Sequence, residues 1–185
     1  MLERISELDI KLLRYINGFS TESYDIFWLY VTNTFTWIPL FLFLLYFIYT
    51  RFEKNEVVAI LVSAFIVLSM TVLLTEFIKE LVMRVRPNNN FEVSRYLNVL
   101  KQPSDYSFLS GHASNAMAVS TLIFFFLRDK TKWAFLLFLW PLLFSFSRIY
   151  MCVHYPSDII AGLLMGFIFG YATYRFTYIN FIRDF

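Results

Sequence analysis

A chain of 185 residues in which 58% are apolar and 21% aromatic is too hydrophobic for an ordinary soluble domain, so its expected solvent is the bilayer. A formal charge of +2, carried by residues between or at the ends of apolar runs, gives no electrostatic basis for a nucleic-acid partner. The single cysteine, Cys152, excludes an intramolecular disulfide and reads as a packing residue.

Residues 1–20 mix acids and bases (Glu3, Arg4, Glu7, Asp9, Lys11, Arg14) without an apolar core or small-residue cleavage site, so no signal peptide is read there. Leu2, Ile5, Leu8, Leu12 and Ile16 recur every three or four residues, which predicts an amphipathic helix ending near Asn17 and Gly18. That helix either lies in the membrane interface or packs on the remaining fold.

Five apolar runs then approach the ~20 residues that cross ~30 Å of hydrocarbon. The first lies within Phe27–Thr50, with its start left open and Pro39 permitting a bend, and the others run over about Val57–Phe77, Gly111–Leu127, Trp133–Ile149 and Ile159–Tyr174. The expected fold is therefore all-α, a multi-pass bundle forming one domain over 1–185, with no internal repeat or linker. Gly162, Gly166 and Gly170 make a ridge without side chains on the fifth span, and the small residues Ala113, Ser114, Ala116, Ala118 and Ser120 make the third span its expected mate. Phe124 to Phe126 read as lipid-facing residues or core filler. Between the second and third spans, the stretch from Asn88 to Gln102 is either a covering loop or a surface segment. In the second case Phe91, Tyr96, Leu97 and Leu100 dip into lipid while Glu92, Arg95 and Lys101 stay wet.

Counting crossings puts the end of span two, the start of span three and the link between spans four and five on one membrane face. Arg51, Lys54, Arg128, Lys130 and Lys132 in the two short loops favour a cytoplasmic location for the other face, although Arg4, Lys11 and Arg14 vote the opposite way. Three polar clusters fall on that one face. They are Lys79 with Arg86 and Pro87; Ser110, Gly111 and His112; and Ser147 and Arg148 with His154 and Asp158. Taken singly, Lys79 and Arg86 read as side chains snorkelling to headgroups, Ser110 as a helix cap and His112 as an interfacial histidine. Arg148 follows a long apolar run and calls for an anion nearby. Together the clusters hold what phosphoryl transfer needs: fixed cations, helix N-terminal amides, a nucleophile and a proton donor.

In order and spacing, Lys79-x6-Arg86-Pro87, Ser110-Gly111-His112 and Ser147-Arg148-x5-His154-x3-Asp158 resemble the three signature motifs of the type 2 phosphatidic acid phosphatase family. One departure is Leu109, where the family usually has proline; a softer phosphate loop is expected. The resemblance implies that His154 attacks phosphorus to form a phosphohistidine and that Asp158 holds its imidazole. His112 then serves as acid and base. Lys79, Arg86, Arg148 and the loop of Ser110 and Gly111 bind the phosphate. The scheme needs no metal or other cofactor, and no zinc-like or magnesium-like ligand cluster is apparent. The implied partner is a membrane lipid phosphate, such as undecaprenyl pyrophosphate, phosphatidylglycerophosphate, phosphatidic acid or lipid A. The implied place is a bacterial inner membrane with the site on its periplasmic or extracellular face. A phosphotransferase with the same chemistry, or a non-catalytic anion or lipid transporter, is the alternative.

Overall fold

The computed structural model describes residues 2–182; Met1, the side chain of Leu2 and residues 183–185 lie outside the described residues. Helix α1 (Leu2–Asn17) presents three faces. Asp9, Leu13 and Asn17 are buried against the body, while Ile5, Leu8, Leu12 and Tyr15 form an exposed apolar stripe. The charged residues Glu3, Glu7, Lys11 and Arg14 fall on the third, exposed face. The packing expectation for this helix therefore holds on one face, and the exposed apolar stripe is of the kind an interfacial helix needs, with Ile16 turned toward the protein rather than along that stripe. Asn17 ends α1 and ties it down: its amide nitrogen donates to Asn98 O (3.0 Å) and Tyr150 O (3.2 Å), and its oxygen accepts from Asn98 N (2.8 Å).

The first span, expected within Phe27–Thr50, starts at Thr34, after a break in the chain's helix. Helix α2 (Glu22–Val31), capped by Thr21, ends before Asn33, whose side chain accepts from Phe35 N and opens a 3-10 turn over Thr34–Trp37. Helix α3 (Ile38–Arg51) follows, so Pro39 lies in its first turn and not at a bend. A proline there costs nothing, because its missing N–H would have no partner within the helix.

Helix α4 (Lys54–Val82) has 29 residues, starts with Glu56 accepting from Glu53 N (2.8 Å), and stops where Met83 adopts a left-handed conformation at φ 51°. At about 1.5 Å per residue it is longer than the hydrocarbon is thick, so its last turn carries Lys79 toward the polar region. In the connection that follows, only a 3-10 turn at Pro87–Asn89 and a short helix α5 (Phe91–Ser94) are regular. Phe91 and Tyr96 are exposed as a surface segment requires, but Leu97 and Leu100 turn inward, packing against the clusters that contain Leu13 and Tyr150.

Helix α6 (Gly111–Leu127) has the predicted limits and forms the centre of the bundle. A third 3-10 stretch, Ala134–Phe138, leads into α7 (Leu139–Tyr150). Pro141 explains this irregular start, since it has no N–H for the carbonyl of Leu137, and Ser120 on α6 donates to that carbonyl instead (3.2 Å). Helix α8 (Pro156–Phe181) packs along α6 through the predicted glycines. A methyl group on Gly162 would lie 2.6 Å from Ser110 O, and methyls on Gly166 and Gly170 would come closer still to Ser114 O and Ala118 O. The α6 backbone therefore runs along the glycine ridge, as small-residue packing in a membrane allows. Ser63 on α4 and Thr177 on α8 share a hydrogen bond of 2.6 Å. Phe126 is buried in the core while Phe124 and Phe125 are half-buried, so this run is filler.

Among the described residues, three helical stretches are long and apolar enough to cross a bilayer (Thr34–Arg51, the helix beginning at Lys54, and Pro156–Phe181), and two shorter apolar ones, Gly111–Leu127 and Ala134–Tyr150, complete the bundle. Large apolar side chains such as Phe65 and Leu73 lie on its outside, where lipid is the fitting solvent. The chain is an integral membrane protein with an all-α bundle fold.

Candidate active site

His154 sits in the turn between α7 and α8, with 1% of its surface exposed. Two features of that turn aim it inward. Cys152 adopts φ 60°, and the amides of Val153 and His154 both donate to Arg148 O. Its Nδ1 lies 2.9 Å from Ser107 O, a group that can only accept, so Nδ1 carries the proton. Nε2 therefore presents its lone pair, and it faces Arg86 Nη1 at 3.0 Å, a group that can only donate. Both partners select the same neutral tautomer. Burial pushes the His154 pKa down to about 4; Asp158 works against this, and the charges of Arg86 and Arg148 add to it.

The expected grip of Asp158 on the ring is looser than a hydrogen bond, with Oδ2 standing 3.7 Å from Nδ1. Its close contacts are with Tyr155 N (2.9 Å) and Arg84 Nη1 (2.5 Å). The reason is local. Residues four apart share a helix face only inside a helix, and α8 begins at Pro156, two residues after His154. The Ser107 carbonyl orients the imidazole, and Asp158 supplies a buried negative charge beside it.

Lys79 and Arg86 are joined through a residue the motifs did not name. The Asp105 carboxylate accepts from Lys79 Nζ and from Arg86 Nη2, each at 2.8 Å, while Arg86 Nε donates to Asp105 O and Nη1 to Val153 O. Partial burial would raise the Asp105 pKa, but hydrogen bonds and charge from Arg86 and Lys79 outweigh it and hold the group at about 2. Arg86, 4% exposed, is thus fixed by four hydrogen bonds, and its guanidinium lies against His154 Nε2.

Ser110 caps α6, accepting from Ala113 N at 3.4 Å, and its own amide donates to Asp158 O (3.2 Å), which joins the start of α6 to the start of α8. Gly111 is bare on the side of Thr75, where a methyl would meet the threonine at 3.2 Å. Leu109, at the family's usual proline position, is buried. His112 lies between two cavities. One, of about 530 Å³, is shared with Lys79, Gly111, Asn115, Phe41, Leu68 and Trp140. The other, of about 730 Å³, is lined by Arg148, Thr32, Lys101 and Gln102. Arg148 donates from Nη1 to Thr32 Oγ1 (2.8 Å), yet its buried Nε has no partner among the described residues. An unsatisfied guanidinium N–H in such a place fits an anion-binding role.

The eight residues named from the motifs thus come from the end of α4 and the connection after it, the start of α6, the end of α7 and the turn that follows, and the start of α8. Reasoning from motifs missed Asp9, Arg84, Asp105 and Ser107. Of these, only Arg84 had a usable signal, a second arginine two residues before Arg86; the others are isolated residues whose contacts depend on tertiary structure.

Residues 57–182 match the PAP2 superfamily. The chain is 27% identical over 180 residues to the lipid A 4'-phosphatase of Bacteroides thetaiotaomicron, covering 94% of this chain and 79% of that protein. It is 37% identical over 133 residues to the undecaprenyl-diphosphatase of Sulfolobus acidocaldarius, covering 71% and 59%. Among solved structures, a transmembrane PAP2 type phosphatidylglycerolphosphate phosphatase from Bacillus subtilis superimposes with a TM-score of 0.75 at 21% identity, over 96% of this chain and 88% of that one. Aquifex aeolicus LpxE gives a TM-score of 0.66 at 26% identity, over 91% and 95%.

Proposed function

Because this chain belongs to the PAP2 superfamily and is a lipid phosphatase, we propose that it removes a terminal phosphate from an envelope lipid by way of a phosphate covalently held on His154. The observation that carries this reading is the lone pair of His154 Nε2, held 3.0 Å from the Arg86 guanidinium by a ring whose other nitrogen is tied to Ser107 O. A phosphoryl group entering between them meets the nucleophile and a cation together.

In the first step Nε2 bonds to phosphorus, the bond from phosphorus to the lipid oxygen breaks, and His112 gives that oxygen a proton. In the second, His112 takes a proton from water, whose oxygen attacks phosphorus and releases His154. Arg86, Arg148 and Lys79, with the amides at the start of α6, hold the non-bridging oxygens, and Asp158 offsets the positive charge on the phosphorylated ring. Catalysis comes from these fixed side chains, with no metal invoked.

The cavity shared by His112 and Lys79 runs to Phe41, Leu68 and Val119, an apolar lining that suits a lipid chain arriving sideways from the bilayer. The substrate class is an undecaprenyl pyrophosphate, phosphatidylglycerophosphate, phosphatidic acid or lipid A phosphate, and the site faces the periplasm of a bacterial inner membrane. Phosphate release by purified protein from a panel of these lipids tests the reading, with EDTA present and His154→Ala as control. Release only when an alcohol acceptor is added would identify a phosphotransferase. Phosphate handling unaffected by His154→Ala would identify a transporter.

A further inference from the structure

On the Nδ1 side of the proposed nucleophile, away from Arg86 and Nε2, lies a second charge cluster. Arg84 turns away from Arg86 and donates from Nη1 to Asp158 Oδ1 (2.5 Å) and Ser157 Oγ (2.8 Å), and from Nη2 to Asp9 Oδ2 (2.7 Å). Its guanidinium also lies 4.1 Å from the centre of the Tyr155 ring. Asp9 comes from α1 and accepts from Ser157 N (2.8 Å) and Ser157 Oγ (2.5 Å). Ser157 is the second residue of α8, and its amide has no partner within that helix. Asp9 therefore caps α8 from a different helix, one turn from the imidazole. Both carboxylates are almost wholly buried, Asp9 at 3% and Asp158 at 0% exposure.

Two carboxylates against one guanidinium leave this cluster with a net negative charge. Without Asp9, Arg84 and Asp158 would cancel. Nothing else close to His154 makes up the difference: Arg86 from the connection after α4 and Arg148 from α7 are both positive, His112 on α6 is a proton donor, and Asp105 is engaged by Arg86 and Lys79. When Nε2 bonds to phosphorus the ring becomes positive, and the surplus charge must come from the Asp158 side.

We propose that Asp9 and Arg84 are positioning residues for the His154–Asp158 pair: Arg84 fixes the Asp158 carboxylate, and Asp9 neutralises Arg84 so that Asp158 keeps a net charge with which to support the phosphorylated ring. The proposal rests on the reading of His154 as nucleophile. It also gives α1 a part in catalysis, since the helix with the lipid-facing stripe Ile5, Leu8 and Leu12 carries the charge that completes the site.

The test is Asp9→Asn, which keeps the shape and removes the charge. The chain has two histidines, so protein labelled with 15N-histidine in detergent micelles shows two rings, and His112→Ala leaves that of His154 alone. In Asp9→Asn the midpoint of the His154 titration falls by about half a pH unit, because its charged form has lost a negative neighbour. Turnover falls about tenfold with KM within about twofold, and Asp9→Glu restores both. Arg84→Lys keeps the charge but offers one nitrogen where the planar fork holds Asp158 and Asp9 on separate nitrogens; its midpoint stays in place while kcat falls about tenfold. An unmoved midpoint in Asp9→Asn, or full turnover in Arg84→Lys, overturns the proposal. Should Asp9→Asn fail to fold, the Arg84→Lys result decides alone. Failure of the underlying reading is seen separately, as the absence of a phosphohistidine in the unsubstituted protein.

Discussion

Gly162→Ala links bundle packing to catalysis and can be worked through from the contacts. The new methyl would sit 2.6 Å from Ser110 O, and 3.1 Å from Ala113 Cβ, where ordinary contact begins at 3.4 Å. Neither neighbour is the end of a flexible chain, so α6 and α8 must separate by about 0.8 Å at this level. Ser110 and His112 ride on one helix and Asp158 on the other, so the displacement opens the active site itself. A misplacement of ~1 Å can cost about 100-fold in rate, and a loss of about 10-fold to 100-fold in kcat is expected. Gly170→Ala makes a comparable clash with Ala118 O, two helical turns further from the site. Both variants should lose stability to a similar degree, read as thermal unfolding in detergent, but only Gly162→Ala should lose turnover per folded molecule with a soluble lipid phosphate. Equal turnover in the two variants would refute the argument that this packing level sets the site geometry.

Four further outcomes follow from the same geometry. His154 must be neutral to attack, so kcat/KM is present above its pKa of about 4 and is lost as pH falls through it; a rate sustained at pH 3 would contradict this. The same histidine titrates near 6.5 when unfolded, so between about 6.5 and 4 the unfolded chain binds a proton that the folded one refuses, and stability measured by thermal unfolding declines over that window. Arg86→Lys replaces a guanidinium with four hydrogen bonds by a single ammonium, and initial rates should show kcat/KM lower by about 100-fold, while a loss under threefold would mean that the planar fork is dispensable. Ser120→Ala leaves Leu137 O without a donor and should destabilise the solubilised protein by about 1 kcal/mol; adding Pro141→Ala, which supplies an N–H, should recover part of that loss.

Much of this was legible because membrane sequences write their fold in long apolar runs, and the limits of α6 could be read directly from residue types. The start of the first span within Phe27 to Thr50 was not legible, because Thr32 to Thr36 is short enough to pass for part of an apolar run and only the Asn33 cap shows the break. Residues on the cationic side were found because charge is rare in such a chain and the motifs collect it. Ser107 was invisible since it acts through a backbone carbonyl, which no side-chain pattern encodes. Asp9 was hidden among the charges of an amphipathic helix, and only packing distinguishes a buried carboxylate from its solvated neighbours.

The central claim is that one imidazole nitrogen becomes covalently bound to phosphorus, and rapid quenching in alkali, where phosphohistidine survives, tests it directly. Protein mixed briefly with a lipid carrying labelled phosphate should hold that label on the peptide containing His154, retain more of it in His112→Ala, and hold none in His154→Ala. An unlabelled chain during active turnover, or a label that persists without His154, would contradict the mechanism.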